Sequence, residues 1–308
     1  MRVFITGASG HIASAVIPEL LDAGHEVVGL ARSDAAATTV QAAGAEVLHG
    51  DLDDLDTLRA AATAADGVIH LAFKHDLMAS GDRAGAVTAD LEALKALGEA
   101  LEGTGKPLVG TSGTLMLLAD GFTGRVGTEE DVVSGGARVD AENYVIGLAD
   151  RGVRSSAIRL APLVHSHLDH HGFTPVLIGI ARANGYAGYP GAGTNRWPAV
   201  DTRDAARVYR LALESGPAGS RFHAVGDEGI PFREIAETIG RNLGVPTQSI
   251  PEQETEAYFT FLAAFVAADN PTSSAITRAV LGWEPTHPGL IEDMDSGHYF
   301  AEHAAATH

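Results

Sequence analysis

Short apolar runs and amphipathic stretches alternate along the first half of the chain. The apolar runs, rich in Val, Ile and Leu, predict strands near 2–6, 26–31, 45–49, 67–72, 107–111 and 155–163. Amphipathic stretches beginning near His11, Ser33, Asp54, Asp82 and Gly136 separate them, so helix follows strand repeatedly. That alternation predicts an α/β fold, a doubly wound parallel sheet with helices on both faces. Gly67-Val68-Ile69-His70-Leu71-Ala72 and Leu108-Val109-Gly110-Thr111-Ser112-Gly113 read as central strands. Ligands in such sheets bind beyond the strand carboxyl ends.

Past residue 165 the pattern changes to a Gly- and His-rich loop, a helix near 173–184 and the turn-rich Tyr189-Pro190-Gly191-Ala192-Gly193-Thr194-Asn195. Trp197-Pro198-Ala199-Val200, a helix near 202–214 and the strand Arg221-Phe222-His223-Ala224-Val225 follow. The remainder reads mainly helical, with a break at Asn270-Pro271. The division expected is a nucleotide-binding domain over 1–165, with return segments near 197–226. A smaller, substrate-covering portion is then expected over most of 166–308.

Composition narrows the class. A length of 308 residues with 45% hydrophobic residues suits a large globular core. The net charge of −19 argues against nucleic acid or an anionic membrane as partner, since both call for clustered Lys and Arg. Without cysteine there is no disulfide framework, thiolate nucleophile or cysteine metal site. Met1-Arg2 runs straight into the first strand, and no apolar run reaches membrane-spanning length, so a cytoplasmic location is expected.

Thr6-Gly7-Ala8-Ser9-Gly10-His11-Ile12-Ala13 follows the first strand and opens the first helix. Gly7 lets the chain turn sharply, Gly10 lets backbone approach a phosphate, and Ala13 permits close helix-to-strand packing. The helix N-terminus offers free N–H groups to an anion. Gly7, Ser9, Gly10, His11 and Ile12 are therefore candidate contacts for a dinucleotide pyrophosphate. The spacing is G-x-x-G-x-x-A rather than G-x-G-x-x-G, but the next strand, Val27-Val28-Gly29-Leu30, completes a βαβ unit of the expected size.

This turn occurs in order with Gly50-Asp51-Leu52, Leu71-Ala72, Thr111-Ser112-Gly113, Arg159-Leu160-Ala161-Pro162-Leu163-Val164 and Trp197-Pro198-Ala199-Val200-Asp201. Together they resemble the extended short-chain dehydrogenase/reductases, the nucleotide-sugar epimerase-like group, over almost the whole chain. The resemblance implies a Rossmann sheet and a nicotinamide cofactor. It places Asp51 and Leu52 beside the adenine, Leu71, Ala72 and Phe73 along the path to the nicotinamide, and Ala161, Pro162 and Leu163 against its ring. It also implies a small-molecule substrate and a possible homodimer through the helices after strands four and five. At the end of the second strand NAD-binding relatives carry an acid, whereas this chain has Ala31-Arg32-Ser33. Arg32 and Ser33 favour NADP(H), because a guanidinium pairs with a 2′-phosphate, and NAD(H) stays open through Asp34.

The chemistry departs from the resemblance. The family's proton donor is a Tyr with a Lys four residues later. None of the tyrosines at 144, 186, 189, 209, 258 and 299 has one. Aligned on Glu142, the pair becomes Ser134-Gly135-Gly136-Ala137-Arg138. Arg138 can hold a ribose, but a Ser134 hydroxyl is a poor acid beside a phenol of pKa near 10. Lys74 or His75, leaving the fourth strand, is the alternative donor or a cofactor-phosphate ligand. For Lys74 that role needs a pKa lowered by burial and neighbouring cations. Ser112 and Thr114 flank Gly113, where the usual carbonyl-polarising hydroxyl falls. The histidines of His165-Ser166-His167-Leu168-Asp169-His170-His171 sit on one loop, without the rigid helical face of an H-E-x-x-H site, so no metal is expected.

These features lead to an NAD(P)H-dependent oxidoreductase that reduces a small aldehyde or ketone with an atypical proton donor. An imine or enone acceptor is the near variant. A dinucleotide-binding redox sensor that has lost the chemistry is the alternative of another class. A sugar-nucleotide epimerase or dehydratase fits less well, since those reactions lean on the missing tyrosine.

Overall fold

The computed structural model describes residues 1–121, 124–136 and 138–301; Ala137 of the displaced motif and the last residues of the expected 166–308 portion lie outside them. The first half builds β1 (Arg2–Thr6), α1 (Ala13–Asp22), β2 (Glu26–Ala31), α2 (Asp34–Ala42), β3 (Glu46–His49), α3 (Leu55–Ala64) and β4 (Gly67–His70). Next come α4 (His75–Ala79), α5 (Arg83–Leu101), β5 (Pro107–Gly113), α6 (Arg138–Gly147) and β6 (Arg154–Leu160). These strands, joined by one from the second half, form a seven-stranded sheet in the order β3-β2-β1-β4-β5-β6 and then the segment Ser220–Ala224, every pair parallel. Strand order reverses between β1 and β4, which opens a crevice at their carboxyl ends.

Period-two alternation sorts side chains onto the two faces. Val3 and Ile5 of β1 join Val16, Ile17 and Leu20 of α1 in one core, and Phe4 joins Leu58 of α3 and Leu94 and Leu97 of α5 in the other. The central strands β1 and β4 are buried on both sides, so their runs read as continuously apolar, whereas edge strand β3 has no fully buried residue.

After β6 the chain forms β7 (Leu163–His165), α7 (Phe173–Asn184), β8 (Ala187–Pro190), β9 (Arg196–Asp201), α8 (Thr202–Ser215), β10 (Ser220–Ala224), β11 (Asp227–Pro231), α9 (Phe232–Leu243) and β12 (Thr247–Ile250). The single strand expected over 155–163 is two, because Ala161-Pro162 breaks it and β7 enters a separate sheet, β11-β9-β7. Of the segments near 197–226, β10 returns to the large sheet and α8 packs beside α1, whereas β9 stays in the small sheet. The mainly helical tail also contains strands: β11 pairs antiparallel with β9, and β12 pairs parallel with β8. A second core gathers around Trp197, Phe232, Phe259 and Leu290. No helix among the described residues is long and apolar enough to cross a membrane.

One buried ionic group ties α6 to the sheet. Arg159 of β6 is fully buried and donates through Nε and Nη2 to the Glu142 carboxylate of α6, at 3.0 and 2.6 Å. Arg221 of β10 adds a 2.8 Å bond from Nε. Burial alone would raise the Glu142 pKa, but the bonds and charge of Arg159, helped by Ser112 and Arg221, hold it below the ordinary glutamate range. Its folded value lies below its unfolded one, so this stabilisation is complete above the ordinary range and is lost as pH falls through the folded value. Glu142→Gln leaves Arg159 buried without its counter-charge and is expected to cost about 3–5 kcal/mol in urea unfolding at neutral pH. The difference from the parent protein should narrow as the medium is acidified.

Candidate active site

At the crevice between β1 and β4 the glycine turn lies directly on backbone. Gly7 has φ +68°, and a Cβ there would stand 2.7 Å from the Ala72 nitrogen and 2.8 Å from the Leu71 carbonyl carbon. The Gly10 N–H closes the turn on the Gly7 carbonyl at 3.0 Å, and Ser9 and Gly10 remain exposed. Three buried polar side chains hold this edge. His70 donates from Nε2 to Asp90 Oδ1 at 3.1 Å, a tautomer assigned from the carboxylate; its Nδ1 then accepts from Thr6 Oγ1 at 2.9 Å. Thr6 Oγ1 in turn accepts the Ala72 N–H at 3.3 Å. The turn, with Ser9 and Gly10 exposed and leading into the N-terminus of α1, fits a dinucleotide pyrophosphate. The Thr6, His70 and Asp90 group escaped the sequence reading; its signal is a polar residue inside each of two apolar strands and a buried carboxylate on helix α5.

Toward the adenosine end, Arg32 leaves β2 and its Nη1 reaches Asp76 Oδ2 of α4 at 3.0 Å, both side chains exposed. Ser33 caps α2 by accepting the Ala36 N–H at 3.2 Å. Lys74 binds Asp53 and stands 3.3 Å from Asp51. Its burial would lower the ammonium pKa, but the bonds to the two carboxylates outweigh it and raise the value. The lowered lysine required of a proton donor is therefore corrected, because two acids rather than cations surround it. Leu52 is buried beside this cluster.

At the other end, where β4 and β5 finish, the Arg138 guanidinium lies 4.1 Å over the Phe73 ring, and its Nη2 is 3.5 Å from the Thr111 carbonyl. The Phe73 and His75 rings meet edge-on at 5.2 Å. His75 is exposed at the surface, yet partial desolvation, followed by the Arg138 charge, lowers its pKa. Thr114 is fully buried and donates to Asn270 Oδ1 at 2.8 Å, so its proton is committed away from a substrate carbonyl. Ser112 is 5% exposed and lies on the side of Glu142, beyond ordinary bonding distance. Ser134 is exposed on the loop preceding α6. Ala161, Pro162 and Leu163 form the β6–β7 break, with Ala161 and Leu163 buried and Pro162 partly open. Tyr209 of α8 shares a 2.9 Å bond with Thr111 Oγ1, but it is fully buried and its pKa is driven far up.

The histidine loop joins the glycine turn to the second core. His11 Nε2 lies 2.9 Å from Thr202 Oγ1, and its Nδ1 is 3.7 Å from Asp169. Burial lowers the His11 pKa despite that carboxylate. Asp169 also accepts the Tyr299 hydroxyl at 3.1 Å, while His165 and His298 flank Asp293 at 2.9 and 3.0 Å. Among the described residues no three His, Cys, Asp or Glu are arranged to hold a metal.

Residues 3–121 match the NAD dependent epimerase/dehydratase family. The chain is similar to the uncharacterized protein C2A9.02 of Schizosaccharomyces pombe, 45% identical over 302 residues, covering 97% of this chain and all of that protein. Among solved structures it is similar to the dTDP-glucose 4,6-dehydratase DesIV of Streptomyces venezuelae with NAD bound, at TM-score 0.75 and 18% identity, covering 98% of each chain. It is also similar to the UDP-glucose 4-epimerase of Thermotoga maritima with UDP-glucose, at TM-score 0.75 and 18% identity, covering 97% and 98% of the two chains. At these identities the structural likenesses speak for the fold.

Gly7→Ala is expected to weaken NADPH binding at least about tenfold in a nicotinamide fluorescence titration, since the added methyl meets backbone and strains a left-handed φ. Unchanged affinity would mean that the turn is not the pyrophosphate site.

Proposed function

This chain belongs to the NAD dependent epimerase/dehydratase family, and from that premise we propose that it is an NADP(H)-dependent reductase of a small aldehyde or ketone. What carries the reading is the displaced pair: aligned on Glu142, the acid–base position holds Ser134 and the cation four residues on is Arg138, over the Phe73 ring and 3.5 Å from the Thr111 carbonyl. Tyr209 is the tyrosine bonded nearest, and it is sealed under α8. Oxidising a sugar hydroxyl needs a base, and neither a serine hydroxyl nor a guanidinium accepts a proton readily at working pH. Reducing a carbonyl needs a fixed cation and a proton source, which this edge supplies.

Bound along the crevice, the dinucleotide supplies the hydride. Arg138 holds the ribose side and favours the developing oxyanion. Ser112 Oγ is buried toward Glu142 and Thr114 is bonded to Asn270, which leaves His75 or water to give the proton to the alkoxide oxygen. Arg32 supports NADP(H): a 2′-phosphate replaces Asp76 as its partner, and exposed pairs of this kind exchange at little cost. The partial desolvation and Arg138 charge that lower His75 make its imidazolium a stronger acid but leave it scarcer at neutral pH.

NADPH and NADH oxidation against aldehydes, ketones, imines and enones tests the reaction class; tight NADPH binding with no turnover would instead favour the sensor reading. NADPH is expected to bind at least about fivefold tighter than NADH; Arg32→Ala should erase the preference and Asp76→Asn widen it. Equal affinities in the parent protein would overturn the cofactor assignment. Ser134→Ala should keep most of its turnover while His75→Asn lowers kcat. In the parent protein kcat should decline as pH rises through a value below the ordinary histidine pKa of about 6.5.

A further inference from the structure

Between Lys74 and Arg32 toward the adenosine end and Arg138 where β4 and β5 finish, the crevice passes over the glycine turn, whose residues 7–12 include no Lys or Arg. The N-terminus of α1 offers an anion there only about half an elementary charge, against the two that a pyrophosphate carries. The titratable side chain of the turn is His11. By covalent geometry its ring stays within about 5 Å of its own N–H. A phosphate bound on the turn therefore stands within roughly 8 Å of the ring, about one screening length at physiological salt.

A hydrogen-bond chain fixes the partners of that ring. Ser166 Oγ accepts the Leu168 N–H at 3.1 Å and donates to Thr202 Oγ1 at 3.0 Å, and Thr202 donates to the His165 carbonyl at 3.1 Å. With its proton spent, Thr202 Oγ1 accepts from His11 Nε2 at 2.9 Å, a tautomer assigned from the chain. The neutral ring then turns its Nδ1 lone pair toward the Asp169 carboxylate, 3.7 Å away. Asp169 is buried and held in place, since its oxygens accept the Gly172 N–H at 2.7 Å and the Tyr299 hydroxyl at 3.1 Å. A proton on Nδ1 would turn this facing pair into an ion pair. Burial opposes it, followed by the neighbouring His170, His171 and His165, so the His11 pKa is lowered and the free ring is largely neutral at neutral pH. The other charges nearby are already matched: Asp293 lies between His165 and His298, and Arg203, next to Thr202, pairs with Asp201.

We propose that His11 is the cation of the pyrophosphate site, taking up a proton at Nδ1 when a dinucleotide binds. The bound anion favours the imidazolium, and by reciprocity the imidazolium tightens the anion's binding. Affinity is then greatest where the free ring is already protonated. It falls as pH rises toward the higher pKa of the complex, and levels off once the ring is neutral in both states. The proposal rests on the glycine turn as the pyrophosphate site, and on neither the reductase nor the NADP(H) reading.

The test uses ADP-ribose, whose pyrophosphate stays doubly ionised near neutral pH and which lacks the titrating 2′-phosphate of NADP(H). Protein NMR follows the His11 ring through a pH titration without and with saturating ADP-ribose, its resonance identified by its loss in His11→Asn. The ring's affinity for a proton should rise about tenfold in the complex, and ADP-ribose should bind about threefold tighter near pH 6 than near pH 8. His11→Asn should flatten that dependence. Asp169→Asn, which removes the facing charge, should lower the proton affinity of His11 in the free protein. A His11 titration that ADP-ribose leaves in place, with affinity flat in pH, overturns the proposal and leaves the turn as the binding site. Failure of ADP-ribose to bind, together with a Gly7→Ala variant of unchanged NADPH affinity, overturns the turn as the site and the proposal with it.

Discussion

The absence of a side chain at Gly7 is the constraint on which the ligand edge depends. β1 and β4 are neighbours in the sheet, and at the crevice opened by the reversal of strand order the turn after β1 lies directly against the Leu71-Ala72 backbone, where no side chain fits. The Thr6–His70–Asp90 chain fixes that contact from below, using the hydroxyl of the residue before the glycine to hold the Ala72 N–H. Buried polar groups are costly when unmatched, so a fully paired chain of this kind admits one arrangement of the two strands. The N-terminus of α1 and the ends of β4 and β5 take their places from it.

The second half of the chain is fastened to this edge by polar contacts as well as apolar packing. His11, a residue of the glycine turn, meets Thr202 at the start of α8 and faces Asp169 on the loop after β7. Tyr299, far along the chain, bonds the same Asp169. The glycine turn is therefore in direct contact with segments of the second half of the chain. The histidine-rich loop is explained as a structural joint: His165 is spent on Asp293, and His170 and His171 remain at the surface.

Replacement of the tyrosine–lysine pair changes what the site can do with protons. A guanidinium keeps its charge at any working pH and positions by planar hydrogen bonding, whereas a lysine beside a tyrosine lowers the phenol and makes it an acid–base pair. Here the cation is kept, its geometry set by the Phe73 ring and the Thr111 carbonyl, and the phenol is gone from the edge. In the reductase reading proposed above, the groups left to move a proton are the His75 imidazole and solvent.

The strand positions of the first half, the βαβ unit, the glycine turn and the lack of a Tyr-x-x-x-Lys pair were legible in the sequence alone, because each is a local pattern of apolar period, turn chemistry or spacing. The sheet to which Trp197-Pro198-Ala199-Val200 belongs was not, since β-pairing between distant segments leaves no mark on either; nor were β11 and β12, whose short, mixed sequences carry no clean period. Tertiary structure likewise decided the state of the charged candidates. Lys74 is raised rather than lowered because Asp51 and Asp53 fold against it, and Thr114 is withdrawn because Asn270, 156 residues away, takes its hydroxyl. A residue's type can be read in the chain, but its pKa and the direction of its proton depend on which neighbours the fold brings within a few ångströms.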